Sequence, residues 1–196
     1  MKKKLSPLMI VHLILMVVQI IGCIGATAAF IGKLGEAAGG KETVGIVLNV
    51  IMMLLIMSML TVGIVYLLMQ YGKQAASFYK AFLILHISVA VMTTVIYVFF
   101  SEPNVLYITG SIIYAVKIAI LLILAFWRDL GKKKTWILFY ILLSLDLAIL
   151  LLAIVYMAIN GFNITFMGFV SALVADGTIG LSVRGKYADK DKRGTV

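Results

Sequence analysis

Cysteine, histidine and acid are all scarce in this chain. Cys23 stands alone, which excludes an intramolecular disulfide and any CxxC chemistry. Inside an apolar stretch it reads as a small packing residue. His12 and His86 fall on different apolar segments, and with one cysteine they cannot assemble a usual metal site. Charge is short as well: Asp, Glu, Lys and Arg make up 13% of 196 residues, against about a quarter in a soluble domain. No HExxH, GxSxG or Walker sequence occurs, and no soluble domain is left for an enzyme to use. The sequence therefore reads as no enzyme, with no cofactor and no metal.

Apolar residues are abundant instead, at 63% of the chain, and they come in runs long enough to cross a bilayer. A spanning helix needs about 20 mostly apolar residues. Six blocks reach that length, at about 7–32, 43–71, 77–100, 104–127, 135–160 and 163–183. The connections "GKLGEAAGGKE", "GKQAA", "SEPN", "RDLGKKK" and "NGFN" each carry Gly, Pro, Asn or charge, as helix breakers do. The expectation is an all-α, polytopic membrane protein: one domain, a six-helix transmembrane bundle with the lipid bilayer as its surroundings. The sixth block is the least regular, because "GFVSALVADGTIGLSV" is rich in glycine and holds an acid. The opening "MKKKLSPLMIVHLILMVVQIIGCIGATAAF" has a basic start like a signal peptide. Its apolar run is too long for one, so it reads as a retained first span.

The net charge of +9 does not point to nucleic acid, because the cations sit at chain ends and short connections. Lys2, Lys3, Lys4, Lys73, Lys80, Arg128, Lys132, Lys133, Lys134, Arg184, Lys186, Lys190, Lys192 and Arg193 all fall on one side of the six-span arrangement. The other side receives Lys33 and Lys41, offset by Glu36 and Glu42. Positive charge collects on the cytoplasmic side. Both termini are thus expected in the cytoplasm, with 184–196 as a basic tail, and the protein in the plasma membrane. Trp127 and Trp136 flank the "RDLGKKK" loop, where amphipathic rings suit a membrane interface.

One cation remains. Lys117 lies inside "YAVKIAILLILAF", an otherwise apolar run. Counted from the cytoplasmic ends at about 1.5 Å per residue, Lys117 and Asp146 lie roughly 15 Å deep, and Asp176 and His86 about 12 Å. Spans four and five are joined by a short loop, so they are expected to be adjacent and antiparallel. Lys117 and Asp146 are then expected to pair. That leaves two acids for one lysine, and a spare carboxyl in low dielectric can bind a proton. Tyr114 shares a helix face with Gly110 and Lys117, and His86 can titrate or donate a hydrogen bond. The candidate substrate or proton site is therefore Lys117, Asp146, Asp176, His86 and Tyr114.

Blander roles are assigned to the other polar residues. His12 is expected at the cytoplasmic interface, and Gln19 and Asn49 as hydrogen-bonders between helices. Gly168, Ala172, Asp176 and Gly180 form a small-residue stripe for close packing, and Gly177 permits a local break in the helix. The methionines of "IMMLLIMSML" are read as apolar filler. No self-similarity links 1–100 with 101–196. Two functions fit. One is capture or transport of a small solute, proton-coupled through the midplane charges. The other is a non-transporting assembly, immunity or regulatory subunit whose ion pair is structural, bound to another membrane subunit or to a second copy.

Overall fold

The computed structural model describes residues 6–37, 39–69, 74–101, 104–127, 130–161 and 166–191, the last with side chains from Met167 to Arg184. Lys2, Lys3, Lys4, Lys73, Arg128, Lys192 and Arg193 lie outside the described residues, as do the side chains of Lys186 and Lys190. All regular structure among the described residues is helical: α1 (Pro7–Leu34), α2 (Lys41–Met69), α3 (Ala75–Val95), α4 (Val105–Phe126), α5 (Lys132–Asn160) and α6 (Phe166–Asp191). A π-helical turn at Ile96–Phe100 continues α3.

Local chemistry sets several of the ends. Ser6 caps α1, its hydroxyl accepting from the Met9 N–H at 3.3 Å, and Pro7 takes the first helical position, where no N–H is needed. Asn104 caps α4 in the same way, accepting from the Tyr107 N–H at 3.0 Å. Gly161, at φ +85°, ends α5 in a backbone region open to glycine. The expected basic tail from 184 begins as helix: α6 runs through Arg184 to Asp191.

Each helix packs on the next in the chain, and α6 returns to pack on α1, α2 and α5. The five helices from α1 to α5 are long and apolar enough to cross a membrane, α3 together with its π turn, as a multi-pass membrane protein requires. Their outer faces expose large apolar side chains such as Ile21, Leu151 and Ile159. α6, whose side chains are described from Met167 to Arg184, is the most polar of the six over that stretch, and its surroundings explain why. No residue from Met167 to Val183 is exposed. Phe169, Ser171, Ala172, Ala175, Asp176, Thr178, Ile179, Ser182 and Val183 are all buried. A helix enclosed by protein has no need of a lipid-compatible face, so serine, threonine, glycine and an acid are tolerated there. α6 thus packs on α1, α2 and α5, and its polar residues face those neighbours and the side chains reaching in from α3 and α4.

The methionines do serve as filler: Met52, Met53 and Met59 of α2 are buried in the core beside Ile56 and Leu60. The small-residue stripe is realised only in part. Gly180 lies against the Phe139 ring, where an added Cβ would fall 2.6 Å from Cζ, whereas Gly168 has nothing within 4 Å of such an atom.

Candidate charged site in the bundle

Lys117 is wholly buried, and its ammonium donates to both Asp146 carboxylate oxygens at 2.6 Å. α4 and α5 pack together, which brings the two side chains level. Asp176 of α6 approaches the same ammonium: Oδ2 is 3.3 Å from Nζ. That is ion-pair distance, yet neither oxygen of Asp176 has a hydrogen-bond partner among the described residues. His86 of α3 stands on the far side, with Nε2 3.7 Å from Asp176 Oδ1 and neither ring nitrogen hydrogen-bonded. Tyr114, one turn before Lys117 on α4, lies with its ring centroid 5.9 Å from Nζ. All five candidate residues therefore converge, contributed by four helices. Lys117, Asp146, Asp176 and His86 are each no more than 1% exposed.

The neighbours of α6 explain how its acid reaches this point. α6 packs on α1, α2 and α5, while α3 and α4 reach toward it through the long side chains of His86 and Lys117. Tyr97, in the π turn, fills the space on the outer side. Its ring lies against Gly110, where an added Cβ would fall 2.9 Å away, and meets Tyr114 edge-on at 6.2 Å and Phe169 at 6.2 Å. A π turn shifts side-chain direction by one residue, and such turns are frequent at functional sites.

A second polar line joins α1 to α6. His12 Nε2 hydrogen-bonds Thr178 Oγ1 at 3.0 Å, and Gln19 Nε2 donates to the Met167 carbonyl at 2.9 Å and to Ser171 Oγ at 2.7 Å. Cys23 is buried and 3.8 Å from the same serine, and Tyr66 of α2 donates to Ser182 at 2.7 Å. His12 is thus a bridge between helices, buried against α6 near the start of α1. Gln19 does bond between helices; Asn49 does not. Its Nδ2 donates to the Gly45 carbonyl one turn back in α2, and Oδ1 has no partner among the described residues. Gly177 does not break α6, which is continuous through it. It gives room to His12 instead: a Cβ there would lie 2.5 Å from the imidazole Cε1.

The sequence carried a signal for this second line. His12 and Gln19 are seven residues apart on α1, and Ser171 and Thr178 are seven apart on α6, two turns in each case. Antiparallel helices with matched seven-residue polar pairs can join rung to rung. Among the described residues no three His, Cys, Asp or Glu side chains gather so as to hold a metal ion. No family model, no curated protein and no solved structure matches the chain.

Proposed function

We propose that the protein is a six-span integral membrane protein of the plasma membrane, with both termini cytoplasmic, that captures or transports a small solute with Asp176 as its proton- or cation-binding group. One observation carries this reading. Asp176 is fully buried, ion-paired at 3.3 Å to an ammonium that already donates to both oxygens of Asp146, and 3.7 Å from an imidazole, with no well-aligned hydrogen bond of its own among the described residues. A register lock is complete with Lys117 and Asp146 alone. Buried polar groups are ordinarily satisfied, and ionisable groups inside spans mark proton and ion pathways. Asp176 can exchange Lys117 for a proton or a cationic solute without breaking the Lys117–Asp146 pair. The orientation rests on Lys80, Lys132, Lys133, Lys134 and Arg184 at one end of the bundle, against Lys33, Glu36, Lys41 and Glu42 at the other.

A second reading, a non-transporting assembly, immunity or regulatory subunit, is favoured by the completeness of the Lys117–Asp146 pair, whose ammonium donates to both carboxylate oxygens at 2.6 Å with both side chains buried. Infrared difference spectroscopy of the reconstituted protein, cycled between two pH values, separates the two. The first reading expects a buried carboxyl band that changes with pH, is lost in Asp176→Asn and survives in Asp146→Asn. It also expects Asp176→Asn to melt close to the parent. No pH-sensitive carboxyl band, together with a large melting loss in Asp176→Asn, would make Asp176 a structural group.

A further inference from the structure

The apolar helices leave a seam. α1 packs on α2, and α5 on α4, but between α1 and α5 the space is closed by α6, which packs on both. At the basic end of that seam lies an open groove of about 280 Å³, lined by Leu8 and His12 of α1, Trp136 and Phe139 of α5, and α6 from Gly177 to Arg184. Where α6 lines the groove, the His12 ring covers Gly177 and the Phe139 ring covers Gly180. Along α6 the groove runs seven residues, roughly 10 Å. Its inner part is apolar. Its mouth carries the exposed guanidinium of Arg184, which makes no ion pair among the described residues, and α5 begins at the same end of the bundle with Lys132, Lys133 and Lys134. No acid whose side chain is described lies at this end: Glu36 and Glu42 are at the opposite one, and Asp146 and Asp176 are inside.

From this charge complementarity we infer that the α1/α5/α6 groove is a binding site for an anionic phospholipid. One acyl segment lies against Leu8, Phe139 and Leu181, and the phosphate lies at Arg184. Basic pockets between spanning helices recognise anionic headgroups in this way. Trp136, stacked on Tyr140 at 5.6 Å, stands at the level where an indole meets headgroups. The inference rests on the membrane reading and is independent of proton chemistry at Asp176.

Native mass spectrometry of the detergent-purified protein tests it, with phosphatidylglycerol and phosphatidylcholine added in parallel. The parent should retain phosphatidylglycerol in preference. Arg184→Gln should lower that preference by roughly fivefold, the usual worth of one basic residue at a lipid surface, and Arg184→Lys should keep most of it. Leu8→Trp fills the groove from an exposed position, 54% accessible, so the fold should survive while retention of both lipids falls. Equal retention of the two lipids by the parent, or unchanged binding in Leu8→Trp, overturns the proposal while leaving the membrane reading intact. A dimer lost in Leu8→Trp would also overturn it, giving the groove to a second copy of the chain.

Discussion

Removal of the ammonium at Lys117 should be the most damaging single change in the charged site. Lys117→Met keeps an unbranched chain of similar length but leaves Asp146 and Asp176 facing the same space, both buried, with no cation except His86 if it charges. Breaking a buried pair costs roughly 3–5 kcal/mol, because the surviving charge is uncompensated. Here one substitution strips two carboxylates, so the upper end of that range is expected. For a chain of this size the corresponding fall in melting temperature is roughly 10–20 °C, at about 2–4 °C per kcal/mol. Asp146→Leu is milder, because Asp176 Oδ2 already lies 3.3 Å from the ammonium and can take over the pairing. The double variant Lys117→Met, Asp146→Leu should recover much of the loss, since it leaves one carboxyl, which a proton can neutralise. Melting in detergent, followed by the fluorescence of Trp127 and Trp136, measures all three. Losses that simply add in the double variant would show that the two side chains are not coupled. An Asp146→Leu loss as deep as that of Lys117→Met would show that Asp176 does not stand in.

Two further outcomes follow from the geometry. In a Cys23→Ala background, a membrane-impermeant thiol reagent added outside intact cells should label a cysteine placed at Glu36 and spare one at Lys133; the reverse pattern would invert the proposed orientation. Gly177→Ala puts a methyl within 2.5 Å of the His12 ring and should cost about 1–3 kcal/mol through overpacking. Adding His12→Ala should then restore part of the melting temperature. An absence of rescue would mean that His12 is not what Gly177 accommodates.

Helix positions were legible in the sequence because span length and breaker chemistry are local. The expected blocks at 7–32, 77–100 and 104–127 differ by two residues or fewer at each end from Pro7–Leu34, Ala75–Phe100 and Val105–Phe126. The sixth was harder for a physical reason. Hydropathy reports whether a helix suits lipid, and α6 is surrounded mostly by protein, so its pattern follows its neighbours. Its basic end also continues as helix, since nothing at Arg184 breaks the backbone pattern.

The site divides along the same line. Depth follows from counting residues along each helix, and that alone brought Lys117 level with Asp146. Rotation about the helix axis does not follow from counting, and it decides every other contact. His12 and Asn49 show the difference. Both are polar residues in apolar helices, equally able to bond across an interface. His12 meets Thr178 because α1 turns that face to α6, while Asn49 is left to its own helix. The deeper constraint is collective. Ser171, Thr178 and Ser182 share one face of α6 and Asp176 lies on another, so two sides of this helix need protein partners in a membrane. Gln19, His12, Tyr66 and Lys117 each meet one of those faces, from α1, α2 and α4. The polar residues that weaken α6 as an isolated span are therefore the ones that fix its place among the others. Asp176 differs from the serines and threonine of α6 in lacking a well-aligned hydrogen bond among the described residues, and of the two such side chains in the cluster, Asp176 and His86, the carboxyl is the one for which proton or cation binding is proposed.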